Sequence, residues 1–302
     1  MSVIWMIKNV DSDKLNWDYL SANPNVDLSI INNNNRKPWV WKYLFSNKNL
    51  SIQEFKKLPK PLWDFSMLSL NENLTWKIIS ENLHEEWDWY ELSKHKCVDW
   101  EIINMYKELP WDWYGISENP NITWDIIDSN KNKSWDWEAV SINPNITWDI
   151  VVENVEKFDA SLISKHDNIT LDIINDNPKY LWSWNEILVN KNINLPFVHD
   201  NIVKFRKNNR VTENLNVSWD IYTYLCKFKK NPLNPSLIFS QANINWYTIK
   251  KNANEDDWYY VSLNPNITDK ILRKHVSKPW NWTNLCKNIF MHHPYVTIEE
   301  SE

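Results

Sequence analysis

Apolar residues along this chain come in short bursts that never last long. Trp124-Asp125-Ile126-Ile127 follows the polar turn Asn119-Pro120-Asn121, and Trp135-Asp136-Trp137 follows a run of Ser, Asn and Lys. In each burst the apolar places fall one to three apart, and polar residues then break the pattern. Such spacing predicts helices of roughly seven residues separated by turns, each too short to offset the cost of nucleation alone.

The bursts recur. Anchored on the Asn before Ile-Thr, equivalent positions fall at Asn25, Asn49, Asn73, Cys97, Asn121, Asn145, Asn168, Asn192, Asn216, Asn243, Asn266 and Tyr295, with a commonest step of 24 residues. Ahead of most anchors stands an aromatic pair two apart, then an aliphatic residue, then Ser, as in Trp87 to Ser93, Trp111 to Ser117 and Trp135 to Ser141. The sequence therefore predicts about twelve repeats, each of two short helices (both α, or one α and one 3-10) joined by an Asn-Pro turn. The expected fold is an all-α solenoid over residues 1–302. Regular repeats fill 1–200, degenerate ones 201–257, and a final regular repeat with a C-terminal cap 258–302.

Local chemistry assigns roles within a repeat. Thr123 and Thr147 read as N-caps, each with an Asp two places on where the helix dipole favours negative charge. Ile122 and Ile127 occupy the staple positions around that cap, and Ser134 is read as the cap for Trp135-Asp136-Trp137. Pro120 and Pro144 set the turn, and the Asn beside them are read as taking places that other proteins give to glycine. Gly115 is the only glycine.

Composition sharpens the picture. Asn, Ile and Lys are plentiful, as AT-rich coding DNA would produce, yet the chain holds 22 tryptophans, whose codon is GC-rich. A physical role must hold them there. Trp89, Trp100, Trp113, Trp124, Trp137 and Trp148 mark the regular repeats and are expected to wedge between neighbours, so that stability comes from repeat-to-repeat interfaces. The period fits a leucine-rich repeat in length, but its third apolar place holds Ala22, Glu118 or Ile142; a β-lined horseshoe is the alternative fold.

Segments such as Trp135 to Val151 resemble the tryptophan-rich tandem repeats of mimivirus-like giant viruses. The Asn-Pro turn and the period are also similar to the leucine-rich-repeat variant family, a right-handed solenoid of alternating α- and 3-10 helices. The first resemblance implies a viral protein acting in the host cytoplasm or viral factory, or packaged in the virion.

Charge and motifs narrow the function. The net charge of −6 argues against general nucleic-acid binding. One glycine rules out nucleotide-binding loops as usually written. The seven His and three Cys are scattered without zinc-type spacing. No signal peptide or membrane span is read. No catalytic residue, metal or cofactor is expected, and the chain is read as a monomer and not an enzyme. One segment runs against the acidic trend: Lys204, Arg206, Lys207, Arg210, Lys227, Lys229 and Lys230 face three acidic residues between Asp200 and Lys230. The expected function is a scaffold that binds a host or viral protein. A virion constituent and nucleic-acid association through the basic segment are the alternatives.

Overall fold

The computed structural model describes residues 2–55, 63–201, 217–227 and 235–290. Among them every regular element is helical and none is a strand, so the β-lined alternative falls away. Two compact units form: Trp41–Asn216, and Met1–Val40 together with Val217–Glu302.

Within Trp41–Asn216 two helices alternate along each repeat. The regular stretch runs through Trp89–Ser93, Trp100–Met105, Trp113–Glu118, Trp124–Ser129, Trp137–Ile142 and Trp148–Glu153. The first helices pack on one another in order, Trp113–Glu118 lying between Trp89–Ser93 and Trp137–Ile142. Both helices of these repeats are α, whereas Ser236–Ser240 is 3-10. The core is mainly aliphatic: Leu92, Val98, Ile116, Ile122, Val140 and Ile146 are almost wholly buried.

The first-helix N-cap differs from the sequence reading. Asp136, not Ser134, caps Trp137–Ile142, its carboxylate accepting from the Ala139 N–H at 2.9 Å. Trp135 therefore precedes the helix, and the aromatic pair does not face opposite ways around one helix. Asp88 and Asp112 cap equivalently. The Thr caps are weaker than expected. Thr123 Oγ1 lies 3.5 Å from the Ile126 nitrogen, and Thr147 makes no side-chain cap bond. Asp99, in the same place, accepts from Ile102 at 2.9 Å. A carboxylate carries full charge toward the helix dipole, which a hydroxyl does not.

Asparagine does not stand in for glycine here. Phe290 is the one non-glycine residue with positive φ among the described residues. The Asn side chains instead stitch repeats together. Asn143 is fully buried; its amide donates to the carbonyls of Ser117, Asn119 and Ile122 in the preceding repeat, at 2.8, 3.1 and 3.2 Å. Its Oδ1 accepts from the Asn145 N–H, and Asn145 donates in turn to the carbonyls of Pro120 and Ile122. The same arrangement recurs at Asn71, Asn119, Asn190 and Asn264. Pro144 likewise supplies a carbonyl, taken by Asn168. A second stitch runs forward: Ser117 Oγ donates to the Trp113 carbonyl and accepts from the Asp136 N–H of the next repeat. Buried backbone groups need such partners, because an unpaired one costs about 1–3 kcal/mol.

Gly115 answers to packing. A Cβ there would lie 2.7 Å from the Tyr90 carbonyl oxygen and 2.9 Å from Ser93 Cβ, so only hydrogen lets these two helices approach so closely.

In the second compact unit the ladder joins the two ends of the chain. Trp17–Ala22 packs against Trp282–Lys287. The Asn23 amide donates to the carbonyls of Cys286 and Asn288 at 2.7 and 3.0 Å, and Asn25 to that of Ile289 at 2.6 Å. Helix Ser2–Asn9 packs against Asp269–Lys274, the second helix of the repeat that precedes Trp282–Lys287. One repeat is thus split: its first helix comes from residues 282–287 and its second from residues 2–9. The anchor of that repeat is Phe290, 24 residues after Asn266, not Tyr295. Its N–H donates to Asn288 Oδ1 as the anchor Asn do elsewhere. Tyr295, like the rest of the expected cap beyond residue 290, lies outside the described residues. The stretch read as degenerate keeps the ladder where it is described, with Asn243 donating to Val217 and Asn264 to Gln241.

Candidate interaction surface

The tryptophans divide into two kinds. Four of those just before a first helix are buried: Trp87, Trp135, Trp182 and Trp280 are 5–8% exposed, and Phe158 takes the place at 8%, whereas Trp39, Trp63 and Trp111 there are half-buried. Their indole N–H closes the second helix behind them, as when Trp135 Nε1 donates to the Asn130 carbonyl at 2.9 Å. Six that start helices in the regular stretch are half-buried: Trp89, Trp113 and Trp137 on first helices, Trp100, Trp124 and Trp148 on second ones. They cluster around the buried kind. Trp135 meets Trp113 edge-on at 5.3 Å and Trp100 at 5.6 Å; Phe158 receives Trp137 and Trp124 in the same way. Each cluster spans three repeats. These six indoles lie against rings of other repeats, and each is only partly buried. The amine of Lys157 lies over Trp124 and Trp137, 5.8 and 5.3 Å from the ring centres.

Four successive second helices carry charge of one sign. Trp100–Met105, Trp124–Ser129, Trp148–Glu153 and Leu171–Asp176 hold Glu101, Asp125, Asp128, Asp149, Glu153, Asp172 and Asp176 and no Lys or Arg. All seven are exposed. Glu101, Asp125, Asp149 and Asp172 occupy the same helical position in successive repeats, where the dipole stabilises them. Met105 and Val152 lie among these carboxylates, 74% and 54% exposed. A second polar group bridges first helices: Tyr90 donates its hydroxyl to Glu118 at 2.8 Å, and Lys94 lies 4.2 Å over the Tyr90 ring. Glu118 pushes the Tyr90 hydroxyl above its ordinary pKa.

Titratable groups inside the array serve it structurally. His95 takes the ladder place of an Asn: Nδ1 accepts from the Cys97 N–H at 3.1 Å and Nε2 donates to the Asn71 carbonyl at 3.1 Å. These partners fix the neutral Nε2–H tautomer. Cys97 Sγ lies 2.9 Å from the same Nδ1, but burial pushes its thiol up to about 12, far from thiolate chemistry. His166 repeats the arrangement, with Nε2 on the Asn143 carbonyl. Among the described residues no three His, Cys, Asp or Glu gather as a metal cluster. No described helix is long and apolar enough to cross a membrane.

The basic segment falls mostly elsewhere. Lys204, Arg206, Lys207, Arg210, Lys229 and Lys230 lie outside the described residues, and Lys227 is exposed at a helix end. The ladder residues Asn119, Asn143, His95 and His166 escaped the sequence reading. They recur two places before each anchor, and the alternation of Asn with His there was the available sign: both offer a donor and an acceptor. No protein-family model, curated protein or solved structure matches the chain.

Proposed function

We propose that this chain is a non-enzymatic scaffold, a tandem series of twelve repeats, that binds a protein partner along its second-helix face. The observation that carries the reading is the row Glu101, Asp125, Asp149 and Asp172: one carboxylate per repeat, each on the first turn of its helix, with no cation on those helices. Aligned repeats offer an extended surface of this kind. A single-signed face steers a partner of opposite charge, and the apolar Met105 and Val152 would add contact area once it has docked. A basic protein surface or segment fits best, and nucleic acid is disfavoured by the same charge.

The setting follows the resemblance to giant-virus repeats: a host or viral partner met in the cytoplasm or viral factory of an infected cell. Affinity capture from such cells should yield a partner whose retention falls with salt. A variant with Glu101, Asp125, Asp149 and Asp172 changed to Lys should fold and lose that partner. Unchanged retention would sink the reading.

A further inference from the structure

In the split repeat, residues 2–9 complete a unit that residues 282–287 begin. Its two halves meet through a surface built from the same parts as every internal joint. Asn23 and Asn25 supply donors, and Cys286, Asn288 and Ile289 supply carbonyls. Val3, Met6, Ile7 and Leu20 on one side, and Leu285 and Phe290 on the other, are all at most 3% exposed. Lys287 lies 4.1 Å over the Tyr19 ring, across the joint. Yet the partners are 263 to 265 residues apart, where internal ladder bonds span 20 to 26. This joint can open without breaking a short covalent connection, because its two sides are linked only through the intervening chain.

We propose that this joint is exchangeable: the N-terminal face of one chain, helices Ser2–Asn9 and Trp17–Ala22, seats on the C-terminal face of a second copy. The two faces differ from each other, so the contact is heterologous and propagates head to tail. Opening strands the Asn23 amide, three carbonyls and an apolar surface, and only the complementary face satisfies them all. Every other copy carries that face. Within one chain the two ends see each other at an effective concentration on the order of millimolar. Closed monomers prevail in dilute solution, and linked chains form when concentrated protein is transiently opened.

Full-length protein carrying donor and acceptor fluorophores in separate batches tests this. Mixed at high concentration, given a brief urea pulse below global unfolding and diluted, the batches should yield mixed oligomers with energy transfer. Tyr19→Ala, which removes an exposed ring and leaves the ladder intact, should fold and exchange several-fold faster. Asn23→Leu should cut the mixed species at least tenfold. Two results would overturn the proposal: persistent mixed species in a folded Asn23→Leu variant, which places the contact elsewhere, or none in the native protein although hydrogen exchange shows residues 23–26 opening. The carboxylate row is untouched in all these variants, so failure here leaves the scaffold reading standing.

Discussion

The Asn143 amide lies 3.1 Å from the carbonyl oxygen of Asn119, its own counterpart one repeat earlier. Each ladder residue is thus a donor to the repeat behind and an acceptor for the repeat ahead. This relation explains why Asn recurs two places before the anchors, with His95 and His166 able to take its place.

It also ranks substitutions. Asn143→Asp keeps shape but replaces the donors with an anion aimed at three carbonyls, and should cost about 3 kcal/mol or more, the penalty of a buried charged group without partners. Asn143→His should cost less, because His95 and His166 already hold the same place with both ring nitrogens paired. Urea melts of the two variants check the order. Equal losses would mean that the ladder bonds contribute little beyond packing.

The sequence showed the period and the all-helical class, because each depends on residues within one repeat. Reading Ser134 as the cap failed since Ser134 and Asp136 both cap well and stand two apart; the choice rests on which backbone position reaches the Ser117 hydroxyl. The Asn ladder escaped because its acceptors lie a full repeat away. The split repeat left no local trace at all: nothing near Asn23 names a carbonyl at Cys286. Among interface residues, the second-helix carboxylates are visible in the sequence as a periodic Asp, but the Lys131–Asp128 ion pair at 2.8 Å beside them is a matter of geometry.

Acid should loosen the ladder at His95. Burial lowers its pKa, outweighing the Asn71 carbonyl that favours a proton; Lys96 lowers it further, while Glu72 and Glu91 raise it. The unfolded imidazole titrates near about 6.5. Below that pH the unfolded chain gains a proton that the folded chain resists, so stability is full above about 6.5 and falls as pH drops toward the lowered folded value. Replacing His95 with Asn, the residue of the neighbouring ladder places, removes the titrating group. The His95→Asn variant should match the native protein at pH 8 and be more stable than it at pH 5 in thermal melts. A parallel loss in both proteins would place the acid sensitivity elsewhere.

Burial separates the tryptophans. Trp135 is 8% exposed, packs against Trp100 and Trp113, and closes a helix through its N–H. Trp135→Ala should cost about 3–5 kcal/mol, as large-to-small core changes do. Trp135→Phe should cost about 1–2 kcal/mol, keeping most of the packing and losing the bond. Trp124, half-buried beside Phe158 and Trp137, should lose roughly half as much as Trp135 on change to Ala, in proportion to the area removed from water. Denaturant midpoints at constant slope read all three. Were Trp124→Ala as costly as Trp135→Ala, the half-exposed rings would be as deeply structural as the buried ones.

The caps give the finest discrimination. Asp136 holds the Ala139 N–H at 2.9 Å, while Thr147 holds no cap bond, although both stand at helix starts with extended backbone. Asp136→Ala should therefore cost about 1 kcal/mol. Thr147→Ala should cost only a few tenths of that, roughly the scale of an exposed surface change. Thr147→Asp should gain about 0.5 kcal/mol, since Asp27 and Asp99 in equivalent places accept from the third residue of their helices at 2.8 and 2.9 Å. That gain should shrink with added salt as the charge–dipole attraction is screened. Melting temperatures of the three variants at low and high ionic strength decide it. A large loss on Thr147→Ala would show that the hydroxyl has another partner in solution.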